Sequence, residues 1–304
     1  MWVVKYRKLF YTISGLLVLA SLASFFFWGM KPGVDFTGGT LIEVSYSGQR
    51  PEQSLVSAAL AVIDPAVSVR VGTSQTGDQE FIVRMKEVNQ EEKASVMSAL
   101  SLDNAATTTI KTFDSIGPVL GAEALRKSIV SIILVILGIV LYITFAFRKI
   151  SEPVASWKYG FVAVVALMHD VIIPIGVFSV LGHFKGYEVD TLFVTALLVI
   201  LGFSVHDTIV VFDRVRENLR HAGSKKPFGE IVGESVSQTF TRSINTSLTT
   251  LIALTVLYFV GGPTTEHFSL ALIIGIAVGT YSSIFIGSTL LVTIAGANTK
   301  KAGK

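Results

Sequence analysis

The 304-residue chain contains no cysteine, only 8 prolines and no more than 15% charged residues. The missing thiols exclude a disulfide framework, a thiolate nucleophile and cysteine-bound zinc, and they leave the redox compartment undetermined. The scarcity of charge excludes more. Set against 51% hydrophobic residues and a mean hydropathy of +0.62, it leaves too little polar material for an ordinary soluble globule, so the chain reads as a membrane protein. The formal net charge of +3 is small, and no nucleic-acid partner is expected. Neither Gly-x-Gly-Asp nor His-Glu-x-x-His occurs, which argues against an aspartyl or metallo-type intramembrane protease. No enzymatic activity and no cofactor are expected.

Apolar runs long enough to cross about 30 Å of hydrocarbon lie near 9–28, 128–147, 159–181, 191–212, 244–262 and 268–295. They predict six transmembrane helices in a lipid bilayer. Lys5, Arg7 and Lys8 precede the first run, and Arg148, Lys149 and Lys158 lie between the second and third. Arg214, Arg216, Arg220, Lys225 and Lys226 follow the fourth, and Lys300, Lys301 and Lys304 close the chain. The alternate connections hold only Lys185 or no cation, so both termini are expected to be cytoplasmic. Arg126 and Lys127, at the outer end of the second run, are read as snorkelling or docked on the soluble domain. A cleaved signal peptide is not expected for 1–28, because no small-residue cleavage pattern follows Trp28.

Residues 30–123 carry seven Lys and Arg against twelve Asp and Glu, a balance opposite to that of the whole chain. They are expected to form an extracytoplasmic domain, dividing the chain into 1–29, 30–125 and a five-helix membrane domain 126–304. The pattern predicts strand 40–46, helix 51–63 opened by Pro51, strands 66–72 and 80–86, helix 90–101 and strand 107–113. This is a small α+β, ferredoxin-like βαββαβ sandwich. Asn89 with Glu92 forms a capping-box start, and Gly77-Asp78 marks the central hairpin. The domain has no histidine, and its scattered carboxylates resemble a solvated face. The entry segment Gly33-Val-Asp35-Phe-Thr-Gly38-Gly39-Thr40 is read as structural, a tight turn requiring φ > 0, rather than as a phosphate cradle.

Asp207 sits roughly 24 Å along the fourth run at about 1.5 Å per residue, where an aspartate costs roughly 2.5 to 3.5 kcal/mol to insert. Phe203, Ser204, Val210 and Val211 share its helix face, whereas Asp213, among Arg214 and Arg216, is expected to be interfacial, leaving Asp207 as the buried carboxylate. His206 beside it could add a group that titrates near neutral pH. His169-Asp170 in the third run forms a second polar island, read either as a relay or as helix-to-helix hydrogen bonds, with a metal site disfavoured because adjacent residues diverge on a helix. The Ser and Thr residues between 243 and 255 either help helices approach or line a hydrated path. Residues 213–241 are expected to hold a cytoplasmic amphipathic segment carrying Phe228, Ile231, Val232, Val236 and Phe240.

The Gly33–Thr40 motif, Gly117-Pro118 with Gly121, Leu167-Met-His-Asp-Val171 and above all Gly202–Asn218 are similar to motifs of the SecF family. The resemblance covers essentially the whole chain. These are the smaller membrane subunits of the SecD–SecF pair in bacterial protein export, within the resistance-nodulation-division transporters. It implies a proton-driven role in moving exported polypeptides across the bacterial inner membrane, with Asp207 as the proton-conducting residue and Arg242 as a member of the same polar site. His206 stands where the family usually has Asn, and the separation from Asp207 to Arg242 is one residue longer than the family pattern. Six spans resemble half of a two-half transporter. The resemblance therefore implies SecD as an obligate partner and the SecYEG translocon as a second. Half of a small-molecule or lipid exporter of the same superfamily is the alternative reading, for which a soluble domain of this size is small.

Overall fold

The structure, a computed structural model, describes residues 2–47, 50–73, 79–102, 106–148, 155–222 and 226–302. The chain divides into two compact units, Met1–Lys31 with Val130–Glu188 and Leu192–Lys304, and Pro32–Ile129 with Val189–Thr191.

The second unit is built on a four-stranded sheet. Its elements follow in the order α3 (Val34–Thr37), β1 (Gly39–Tyr46), α4 (Gln53–Ala61), β2 (Ser68–Thr73), β3 (Gln79–Met85), α5 (Gln90–Leu100) and β4 (Thr108–Ile116). The strands lie in the order β2-β3-β1-β4, all pairs antiparallel, so β1 is central although first in sequence. Alternation places Ile42, Val44 and Tyr46 of β1 with Phe81, Val83 and Met85 of β3 on one face, where Val56 and Leu60 of α4 and Val96 and Leu100 of α5 cover them. The Tyr46 hydroxyl donates to the Leu100 carbonyl at 2.9 Å, and burial pushes that phenol up to about 12. The capping box of α5 forms as expected: Glu92 N–H donates to Asn89 Oδ1 at 2.8 Å, and Asn89 N–H to Glu92 Oε2 at 3.3 Å.

Two expectations change here. Helix α4 starts at Gln53 rather than Pro51, because Glu52 holds the extended N-cap position and Pro51 precedes it. The carboxylates are not all on a solvated face: Glu43, Asp64 and Glu80 are buried. Each is answered locally. Glu43 accepts from Thr112 Oγ1 at 2.9 Å, Glu80 pairs with Lys111, and Asp64 accepts the amides of Ala66 at 2.9 Å and Lys86 at 2.6 Å. Gly77 and Asp78 lie outside the described residues.

The glycine motif acts through backbone geometry. Gly38 (φ +75°) and Gly39 (φ +116°) occupy conformations that L side chains rarely adopt, and a Cβ on Gly39 would stand 2.8 Å from the Met85 carbonyl oxygen. A Cβ on Gly38 would lie 2.7 Å from Pro118 Cα, and one on Gly121 would lie 2.9 Å from the Gly38 amide nitrogen. The two glycine motifs therefore pack backbone to backbone. Between the glycines sits the single turn α3, which the sequence reading did not anticipate. Asp35 within it accepts the amide of Thr191 at 2.9 Å and also the Thr191 hydroxyl, while Gly33 N–H donates to the Val189 carbonyl at 2.7 Å.

The first unit is helical. Its elements are α1 (Trp2–Lys5), α2 (Arg7–Trp28), the later part of α6 (Pro118–Ala146), α7 (Ser156–Lys185), α8 (Thr191–Ala222), α9 (Phe228–Val260), α10 (Pro263–Ser282), a π-helical turn Ser283–Gly287, and α11 (Ser288–Ala302). Among the described residues six helices are long and apolar enough to cross a membrane, the sixth running through the π turn. Their burial separates them into two classes. The apolar windows of α7 and of α10–α11 are each 61% buried and that of α8 is 50%, whereas α2, α6 and α9 bury only 11%, 6% and 11%. The core therefore lies among α7, α8 and α10. Helix α2 docks on α7 by close approach, since a Cβ on Gly176 would fall 2.3 Å from Ser21 Cα.

No separate amphipathic helix is present among the described residues of 213–241. Helix α8 continues to Ala222, and α9 runs unbroken from Phe228 to Val260. Val232 and Val236, assigned from sequence to a membrane surface, are instead buried in a cluster with Val3, Val211, Val215 and Ile284. The 3.6-residue period that signals an amphipathic surface helix also signals the extension of a longer helix beyond its apolar window. Arg126 and Lys127 lie within α6, exposed, and Lys127 pairs with Glu123 at 2.8 Å one turn away.

Candidate functional site

Two carboxylates occupy the interior of the helical unit. Asp170 on α7 is fully buried and Asp207 on α8 is 3% exposed, which corrects the expectation that Asp207 alone is buried. Their surroundings differ. Asp170 Oδ2 accepts from Ser204 of α8 at 2.5 Å and from Ser282 of α10 at 2.8 Å, and its Oδ1 lies 2.9 Å from His169 Nδ1. It joins three helices. Gly279 makes room for it, since a Cβ there would lie 3.5 Å from Asp170 Oδ2 and 3.2 Å from Ser204 Cβ. His169 is also buried, stacks on Tyr281 with ring centroids 6.2 Å apart, and has no hydrogen-bond partner at Nε2.

A ladder of hydroxyls continues from this hub along α8. Ser283 of the π turn donates to the Ser204 carbonyl at 3.3 Å, and its Oγ lies 2.9 Å from that of Thr208, the residue after Asp207. A π turn widens the helix by one residue per turn and often marks functional sites. Here it brings Ser282 and Ser283 to Asp170 and Thr208 respectively.

Asp207 is the less satisfied of the two. Its Oδ2 has no hydrogen-bond partner, and neither has the buried Oγ of Ser243 on α9. Ser243, Ser247, Arg242 and His206 are the groups that act on its carboxylate. Ser247 also bridges to Thr280 of α10 at 2.5 Å. Arg242 and His206 are exposed, and among the described residues Arg242 forms no ion pair with Asp207. Thr249, Thr250 and Thr255 of α9 each donate to a carbonyl one turn back in their own helix. The Ser204 and Ser282 partners of Asp170 escaped the sequence reading because serines in apolar helices give no signal of which neighbour they face.

A model described as protein export membrane protein SecD/SecF, C-terminal, matches residues 96–297, and one described as SecD/SecF GG motif matches residues 23–49. The chain is 43% identical over 300 residues to protein translocase subunit SecF of Thermobaculum terrenum, covering 96% of this chain and 93% of that protein. It is 36% identical over 299 residues to the SecF subunit of Synechocystis sp., covering 94% and 91%. Among solved structures it resembles the crystal structure of SecDF, a translocon-associated membrane protein, from Thermus thermophilus, with TM-score 0.81 and 29% identity. That match covers 96% of this chain and 38% of the solved one, so the chain spans well under half of the SecDF polypeptide. With both motif regions and nearly the full length matched, the chain belongs to the SecF family of protein-export membrane subunits.

Proposed function

We propose that this chain works with a SecD subunit beside the SecYEG channel, using the proton motive force to promote late steps of polypeptide export, with Asp207 as the proton carrier and Arg242 as its charge partner. The observation that carries the reading is the buried carboxylate of Asp207, one oxygen of which has no hydrogen-bond partner, in a site where His206, Ser243, Arg242 and Ser247 act on it. A buried carboxylate without full hydrogen bonding is costly in either state, and such groups inside membrane helices serve proton and ion pathways. Burial and a nearby guanidinium act in opposite senses on the charged form, a competition that suits reversible protonation. Asp170, held by two serines and a histidine, is the station that fixes helix packing, and His169, whose Nε2 has no hydrogen-bond partner, is a second relay group.

The largely unburied face of α9 supports a partner. Asn245 and Thr249 join Arg242 on that exposed surface, and polar groups in a membrane helix are favoured where protein or water rather than lipid covers them. SecD is the candidate, supported by a solved relative described as SecDF, of which this chain matches 38%. The order and antiparallel pairing of the strands support a ferredoxin-like sandwich for 39–116, which we place outside the cytoplasm between the first two spans.

The test is export of a Sec substrate from inverted membrane vesicles with and without a proton gradient. Asp207→Asn keeps size and hydrogen bonding but cannot cycle a proton. It is expected to insert and assemble normally and to abolish the gradient-dependent part of export, with Arg242→Met close behind. Full gradient-dependent export by the Asn variant would make Asp207 structural and move the proton path to His169 and Asp170.

A further inference from the structure

Where α1 and α2 meet the start of α9, the helical unit has a cleft of about 450 Å³. Val4, Pro227 and Gly229 are the apolar part of its lining, and Lys5, Arg7 and Lys8 are its cations. Glu230 is the one acid in the lining, so cations outnumber it three to one. Among the described residues none of the three cations is paired with a carboxylate. Arg7 reaches only the Val4 carbonyl, at 3.5 Å, and Lys5 lies 5.5 Å from the centre of the Tyr6 ring. The neighbouring Lys226 is already taken, paired with Glu234 at 2.7 Å.

The same segment carries the signature of a membrane–water boundary. Trp2, Tyr6 and Leu9 are exposed, at 55%, 50% and 55%, on the turns that bear the cations. Amphipathic aromatics of this kind settle at the level of lipid headgroups. Helix orientation requires only that cations flank a span; it does not require them to converge on one cleft with an apolar wall. Gly229 shapes that wall, because a Cβ there would already touch Val292 at 3.5 Å and Val4 at 3.7 Å.

We propose that this cleft holds the headgroup phosphate of one anionic phospholipid from the surrounding bilayer. Lys5, Arg7 and Lys8 contact the phosphate, and the glycerol and first acyl carbons lie against Val4 and Pro227. The apolar wall and the flanking exposed aromatics favour a lipid over a soluble anion, which would gain nothing from either. The site is independent of the proton-carrier reading, since none of its residues belongs to the Asp170 and Asp207 network.

Native mass spectrometry of the full chain in neutral detergent tests it, titrating phosphatidylglycerol, phosphatidylcholine of the same acyl chains, and glycerol 3-phosphate. Phosphatidylglycerol is expected to bind well above both others. Each of Lys5→Gln, Arg7→Gln and Lys8→Gln is expected to weaken it about fivefold, the effect of one cation near an anionic surface. Glu230→Gln, which leaves every cation and hence the helix orientation in place, is expected to tighten it. Equal retention of the two lipids, glycerol 3-phosphate binding as tightly as phosphatidylglycerol, or affinities unmoved in all four variants would each overturn the proposal.

Discussion

Asp170 and Asp207 are both buried carboxylates, yet Asp170 has both oxygens partnered, Oδ2 by Ser204 and Ser282 and Oδ1 by His169, whereas Asp207 Oδ2 has no hydrogen-bond partner. Asp207 was legible in the sequence because a lone Asp in an apolar run stands out. The part played by Asp170 was not, because its partners Ser204 and Ser282 lie 34 and 112 residues away and no spacing rule links them. Arg242 was legible only through family resemblance, and it is exposed in the structure. In the sheet unit, Glu43 shows the cost of a buried acid more openly. Burial, reinforced by Glu80 and Asp114 and opposed by the Thr112 hydrogen bond, pushes its carboxyl above the usual carboxylate range. A raised folded value means that the stability linked to this group is present at acid pH and lost as pH rises through that value. Glu43→Gln is therefore expected to increase amide-exchange protection of β1 in the full chain at neutral pH and to change it little at acid pH. Lower protection at neutral pH would show that the carboxylate, not its acid, is the stabilising form.

At the scale of elements, the strands and the α5 capping box followed from period-two patterning and local cap chemistry, both of which are short-range. Helix ends were less legible, because a hydropathy window reports the hydrocarbon-length part of a helix and not its aqueous extension. Helix α9 shows this, with its first turns buried against Val3 and Val215 rather than lying on a membrane surface. The α2–α7 contact was equally hidden, since it depends on one glycine. A Cβ on Gly176 meets the Ser21 backbone, which cannot rotate away, whereas one on Gly138 in α6 meets nothing. Gly176→Ala is expected to cost about 1 to 3 kcal/mol by overpacking, and Gly138→Ala to gain up to about 1 kcal/mol from helix propensity. Thermal unfolding midpoints of the two variants in the same detergent, moving in opposite directions, are the check; equal shifts would refute the contact.

At the scale of the molecule, α7, α8 and α10 are buried against their neighbours while α6 and α9 keep most of their apolar windows open. The alternation of Lys and Arg across the connections sets the proposed orientation. Cysteines introduced at 221–226 and near either terminus are expected to resist a membrane-impermeant thiol reagent in intact cells, and one near Gly77 is expected to react. Labelling at 221–226 would invert the topology and, with it, the direction of proton entry. The central claim, that Asp207 gains and loses a proton in the folded protein, is most directly tested by pH-difference infrared spectroscopy on the chain reconstituted with its SecD partner in lipid, with isotopically labelled aspartate. A protonated-carboxyl band that grows reversibly as pH falls, and that Asp207→Asn removes while Asp170→Asn leaves it, is the predicted result. A band that survives in the Asp207 variant, or no titrating band at all, would contradict the account.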